Sequence, residues 1–219
     1  MNKERVPPLG ARGQIVIIDY GAGNIQSIKF AIQRLGLTAV LSNDPEEIRN
    51  ADKVIFPGVG EASSAMQKLR EGGLDKVIPT LQQPVLGICL GMQLMCNYSE
   101  EGNTEGLGIF DVDVVRFPDD RVGGRESAPS ADRSIKIPQI QWNSISHLTS
   151  PLFKNVAEHE FIYMVHSYYA PVTDQTIAVC EYGIPYSAAF AKANFYGTQF
   201  HPEKSSRTGE QILKNFLEL

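Results

Sequence analysis

A chain of 219 residues with 42% hydrophobic content is long enough to bury one substantial core, so a single domain is expected. Its formal net charge of −5 gives no broad attraction to nucleic acid or to an anionic membrane surface. No apolar run approaches the roughly 20 residues of a bilayer span, and the first dozen residues lack the apolar stretch of a signal peptide, so a cytoplasmic protein is expected.

Residues 1–13 read as a disordered tail because they offer no apolar face to bury, which leaves 14–219 as the folded domain. The first strand is expected at Ile15 to Ile18, followed by the loop D-Y-G-A-G-N and a helix over Ile25 to Leu35. That loop lacks the third glycine of a dinucleotide fingerprint and the Lys–Ser/Thr of a P-loop, which disfavours nucleotide binding. A second strand at Val54 to Phe56 runs into P-G-V-G and a helix over Ala62 to Leu69; a third at Val85 to Ile88 meets a helix over Leu90 to Tyr98. The βαβα alternation implies a parallel sheet covered by helices.

After about Gly108 strands follow one another, at Ile109 to Val115, Phe161 to Val165 and Ile177 to Cys180, before a final helix over Gly209 to Leu219. This predicts an α/β domain with a mainly parallel sheet and an antiparallel extension. Asp119 to Arg133, rich in Gly, Ser and charge, reads as a polar surface loop.

Three cysteines, Cys89, Cys96 and Cys180, without C-x-x-C spacing suggest neither a disulfide framework nor a cysteine zinc site. No metal or cofactor is expected. Cys89, in P-V-L-G-I-C-L-G-M-Q, sits where a buried strand meets a helix, with Gly87 and Gly91 two residues to either side. Such G-x-C-x-G spacing is the thiol counterpart of the nucleophile elbow, a sharp turn that exposes the nucleophile where only glycines fit beside it. An isolated cysteine in an apolar stretch would read as core; the glycines argue otherwise. A helix N-terminus there favours the thiolate.

A nucleophile needs a base. In F-Y-G-T-Q-F-H-P-E-K-S, a strand over Tyr196 to Phe200 would deliver His201 at its end, with Glu203 two residues on to accept its second ring N–H. Alone, His201 and Glu203 could be a surface ion pair; with Cys89 they make a Cys–His–Glu triad. His147 and His159 read as surface residues, while His166 stays open between lining the site and a structural role. Amides of the Gly58–Val59 region and of Leu90 could hold a tetrahedral oxyanion, although P-G-V-G alone could be a turn.

Together Y-G-A-G-N, P-G-V-G, G-I-C-L-G-M-Q and Q-F-H-P-E-K-S, in this order from about Ile15 to Leu219, resemble the class I glutamine amidotransferases. Within them the chain looks most like the glutaminase subunit of imidazole glycerol phosphate synthase in histidine biosynthesis. The resemblance implies a flavodoxin-like fold and glutamine hydrolysis to glutamate and ammonia, with Cys89 forming a glutamyl thioester, His201 moving protons and Glu203 orienting it. Gly60, Gln93, Glu101, Ser167 and Tyr168 match positions that hold L-glutamine. Chemically, Glu101, a helical distance beyond Cys89, offers an anion for the substrate ammonium, and backbone groups of Ser167 and Tyr168 could meet its carboxylate.

The family's partner is a (β/α)₈-barrel cyclase, bound as a heterodimer, with which the subunit forms a lyase; Asn24, Trp142, Tyr163 and Lys204 match positions facing it. Free ammonia would escape into water, so a docked partner with an internal passage is physically reasonable. The family commonly has His and Gly where this chain has Gln139 and Gln141. The triad leaves open an ammonia-supplying paralogue for another acceptor such as a nucleotide sugar, a stand-alone γ-glutamyl hydrolase, and a non-catalytic regulatory module of the same fold.

Overall fold

A computed structural model describes residues 13–21, 24–118 and 135–219. The expected N-terminal tail lies outside these except for Gly13, and the polar loop 119–133 lies wholly outside them. The chain opens with β1 (Ile15–Ile18), α1 (Ile25–Arg34), β2 (Ala39–Ser42), α2 (Pro45–Asn50), β3 (Lys53–Gly58), α3 (Ala62–Glu71), α4 (Leu74–Val77), β4 (Val85–Cys89) and α5 (Leu90–Leu94). It continues as β5 (Cys96–Ser99), β6 (Thr104–Glu105), β7 (Phe110–Arg116), β8 (Gln139–Ser146), β9 (Phe161–His166) and β10 (Tyr168–Tyr169). It closes with β11 (Thr176–Tyr182), β12 (Ile184–Lys192), β13 (Phe195–Thr198) and α6 (Ser206–Glu218).

The main sheet has the order β2-β1-β3-β4-β13-β12-β11-β8-β9. Its first five strands are parallel and the rest antiparallel. The expected parallel sheet with an antiparallel extension is therefore what forms, and the parallel half has the strand order of flavodoxin-like folds. β1 is buried along its whole length, as a strand with helices on both faces must be. Val16 and Ile18 face one core with α3 and α5, while Ile15 and Ile17 face the other with α1 and α6. Local chemistry sets the connections: Asp44 caps α2 by accepting from the Glu46 and Glu47 amides, and Pro45 occupies its first turn.

The helix expected over Leu90 to Tyr98 is corrected: α5 stops at Leu94 and Cys96 begins a strand. The carbonyls that a longer helix would need are taken from outside. Leu94 O accepts from Leu107 N, Met95 O from the amides of Ile109 and Phe110, and Cys96 O from Gly108 N. These bonds build a second sheet, of order β10-β7-β5-β6, that the sequence pattern did not suggest. Its edge strand β10 brings Tyr168 beside α5, and Phe117 N donates to Ser167 O to hold that turn.

Candidate active site

Cys89 ends β4 at the carboxyl edge of the parallel strands, where Gly58 of β3 is its register partner. Its backbone has φ 53° and ψ −111°, a sparsely populated region for a residue with a Cβ and the signature of a nucleophile elbow. The glycines around it are needed for contact. A Cβ on Gly91 would lie 2.1 Å from the Phe56 carbonyl oxygen, and one on Gly87 would lie 2.5 Å from Met95 Sδ. The turn thus packs α5 directly onto β3 and leaves the sulfur facing a cavity of about 370 Å³.

His201 follows β13 and lines the same cavity. Its Nδ1 lies 2.8 Å from Glu203 Oε1, and Cys89 lines the cavity beside it. Both His201 and Glu203 are buried. Burial disfavours charge on this imidazole, yet donation to Cys89 and Glu203 and their negative charges outweigh it and raise its pKa from 6.5 to about 10. The backbone of His201 is clamped as well: its N–H donates to Tyr163 O at 3.2 Å, and Ser205 Oγ donates to its carbonyl at 2.6 Å.

Most other sequence candidates converge here. Val59, Gly60, Leu90, Gln93, Glu101, Ser167, Tyr168 and Lys204 all line the cavity. As the first residue of α5, Leu90 has an amide without an intrahelical acceptor, which suits an oxyanion donor. Gly58 is not among the lining residues; with Val59, Asn24 and Glu203 it surrounds a small space behind the triad. Glu101 reaches the cavity from the turn after β5 and not by helical spacing. Its carboxylate accepts from Ala62 N at the start of α3, and burial, with Glu61 nearby, raises its pKa against that bond.

Gln93 is fixed by chemistry that permits one orientation. A carbonyl oxygen can only accept, so the amide nitrogen of Gln93 faces Tyr168 O at 2.9 Å and also donates to Gln199 Oε1 at 2.8 Å. Gln199 then turns its own nitrogen to Cys89 Sγ at 3.8 Å. Both nitrogen-borne hydrogens of Gln93 are used, which leaves its oxygen for a ligand. Gln199 and Ser205 were not singled out from sequence. Gln199 stands two residues before His201, and the period of two in a strand end was the signal that placed them on one side.

The expected partner-facing residues divide. Trp142 and Tyr163 pack edge to face, with ring centroids 6.0 Å apart, on the β8–β9 hairpin at the edge of the main sheet. Lys204 stands at the cavity, and Asn24 behind the triad. His147 and His159 are exposed. His166 is buried, lines the cavity and is hydrogen-bonded, so its two sequence roles coexist. Among the described residues no three His, Cys, Asp or Glu side chains form a metal site, and no helix is long and apolar enough to cross a membrane.

An elbow cysteine that shares its cavity with a carboxylate-oriented imidazole, at the strand ends of a flavodoxin-like sheet, defines a cysteine-dependent acyl-transfer site. Residues 16–219 match the family of class-I glutamine amidotransferases, and the chain belongs to it. Particular relatives lie well inside that family. The imidazole glycerol phosphate synthase subunit HisH of Bacteroides fragilis is 55% identical over 206 residues, 94% of this chain and 100% of its own length. The subunit of the same name from Vibrio parahaemolyticus is 43% identical, over 94% of this chain and 98% of that one. Among solved structures, a glutamine amidotransferase superposes with a TM-score of 0.67 at 16% identity, covering 93% of this chain and 97% of that one, a likeness of fold. Another, from Thermotoga maritima, gives 0.57 at 15% identity over 94% and 83%.

Proposed function

We propose that the chain is the glutaminase subunit of a cytoplasmic imidazole glycerol phosphate synthase in histidine biosynthesis. It hydrolyses L-glutamine through Cys89, His201 and Glu203 and passes ammonia to a (β/α)₈-barrel cyclase bound as a heterodimer. The observation that carries this function is the hydrogen bond of His201 Nδ1 to Glu203 at 2.8 Å, with the imidazole and the elbow cysteine Cys89 lining one cavity.

Each step follows from that arrangement. Cys89 Sγ adds to the side-chain amide carbon of glutamine while amides of Val59 and Leu90 receive the developing oxyanion. His201 gives its proton to the amide nitrogen, the C–N bond breaks, and ammonia leaves behind a glutamyl thioester. Water then adds to the thioester, His201 takes its proton, and the C–S bond breaks to release glutamate. Gln93 Oε1 and the Glu101 carboxylate are the acceptors for the substrate's α-ammonium, and Gly60 with the Ser167–Tyr168 backbone frames its carboxylate.

A docked partner is supported by the β8–β9 hairpin, where Ile140, Trp142 and Phe161 are 58%, 47% and 58% exposed. With Tyr163 they alternate along one face of the hairpin, an apolar patch of the kind that partners cover. The test is intact-mass analysis of the heterodimer quenched during glutamine turnover. A glutamyl adduct on Cys89 is expected; turnover with no adduct on Cys89 would exclude the mechanism.

A further inference from the structure

Behind the cavity lies a buried polar row that the hydrolysis itself does not use. Gln139, fully buried at the start of β8, holds Tyr186 of β12, whose hydroxyl lies 2.9 Å from Gln139 Oε1. The same hydroxyl lies 3.3 Å from His166 Nε2, and His166 Nδ1 lies 2.7 Å from the Tyr168 carbonyl. That carbonyl is the acceptor that also fixes Gln93 at 2.9 Å, and Tyr168 lines the cavity. A carbonyl cannot donate, so Nδ1 carries the hydrogen. Burial, with His201 nearby, holds the His166 pKa down to about 4 against the bond to Tyr168, so the ring is neutral and Nε2 is a bare acceptor.

Tyr186 therefore has one hydrogen and two neighbours that want it, while Gln139 Nε2 is buried without a partner among the described residues. Turning the Gln139 side-chain amide end for end removes the conflict. Its NH₂ then donates to the Tyr186 oxygen, the Tyr186 hydroxyl donates to His166 Nε2, and His166 Nδ1–H donates to Tyr168 O. Every donor in the row then points one way, toward the cavity wall.

We propose that Gln139 and Tyr186 are positioning residues for glutamine hydrolysis: through His166 they hold the Tyr168 carbonyl, and with it Gln93 and the Ser167–Tyr168 wall, in the substrate-binding arrangement. This rests on the glutaminase function proposed above. Neither residue touches the cavity, since neither is among those lining it. Both act by holding one ring in one orientation. Without Tyr186's hydroxyl, Nε2 is left buried without a donor, and the ring loses the second bond that holds it square to the Tyr168 carbonyl.

The test uses the heterodimer with ¹⁵N-labelled histidine and compares wild type with Tyr186→Phe, Gln139→Leu and Gln139→His. In wild type the His166 nitrogens should report a single neutral Nδ1–H tautomer. In Tyr186→Phe and Gln139→Leu the Nε2 signal should move toward that of a ring nitrogen with no donor, with KM for glutamine raised about tenfold, the effect of one lost buried hydrogen bond. Ammonia-dependent synthesis should be unchanged. Gln139→His, which restores a donor to Tyr186, should keep wild-type KM. A wild-type Nε2 signal and wild-type KM in either folded Phe or Leu variant would overturn the proposal. Should one of them fail to fold, the other carries the comparison. If the wild-type complex turns over no glutamine, the glutaminase function fails, while the Nε2 signal still decides whether Gln139 and Tyr186 hold the ring.

Discussion

Tyr163 on the β8–β9 hairpin and His201 of the triad are joined through their backbones by one serine. Ser205 Oγ accepts from Tyr163 N at 3.0 Å and donates to His201 O at 2.6 Å, and the His201 N–H donates back to Tyr163 O at 3.2 Å. The exposed edge of the sheet and the His201 imidazole thus share one hydrogen-bonded frame.

Ser205→Ala should break that frame. Ser205 is fully buried, so its loss strands a backbone donor and a backbone acceptor, at a cost of about 2–4 kcal/mol. Denaturant unfolding reads the stability and steady-state kinetics the accompanying fall in glutamine turnover. A change under about 0.5 kcal/mol with full turnover would mean that the clamp is not needed.

Gly91→Ala should be among the most damaging single-methyl additions in the chain. The new Cβ would meet the Phe56 carbonyl at 2.1 Å, so α5 must lift from β3 and carry the Cys89 turn with it. Overpacking of this kind costs about 1–3 kcal/mol or more, and the lower melting temperature should come with lost activity. A variant as stable and active as wild type would show that the elbow tolerates separation.

How far these features could be read from sequence varies with the range of the forces involved. The strands at Ile15–Ile18, Val85 and Phe161 and the helices starting at Ile25 and Ala62 follow from local apolar period, and their starts agree with the structure. The end of α5 depends on Leu107 to Phe110 competing for its carbonyls, a tertiary event that no window around Leu94 contains. Cys89, His201 and Glu203 were legible because glycine spacing and a strand-end histidine are local marks. Tyr186 and Ser205 were assigned no role, and Gln139 was noted only as a departure from the family, because their partners are 20 or more positions distant or are backbone atoms.

The His201 proton should depend on Cys89. An NMR titration of wild type is expected to place His201 near pH 10, and Cys89→Ala should lower that value because it removes one hydrogen bond and one charge that raise it. The sign for stability follows. At pH below the ordinary 6.5, folded and unfolded chains both carry the proton and the contribution is full; it is lost as pH rises toward about 10. An unchanged titration in Cys89→Ala would mean that the thiol and imidazole do not interact.

The hairpin face should carry partner affinity and little else. Trp142→Ala removes an aromatic that is half exposed and packed on Tyr163, and a central interface aromatic of this kind is worth about 2 kcal/mol or more. Calorimetric titration with the cyclase should show Kd rising at least about thirtyfold while the fold, by circular dichroism, is unchanged. Wild-type affinity would place the contact elsewhere.

The most direct measurement compares two ammonia sources in one complex. With Cys89→Ala paired to the cyclase, synthesis of imidazole glycerol phosphate should vanish with glutamine as the nitrogen donor and proceed at the wild-type rate with an ammonium salt, because only the thioester step has been removed. Loss of both activities, or retention of the glutamine-dependent one, would contradict Cys89 as the nucleophile that frees ammonia for a partner.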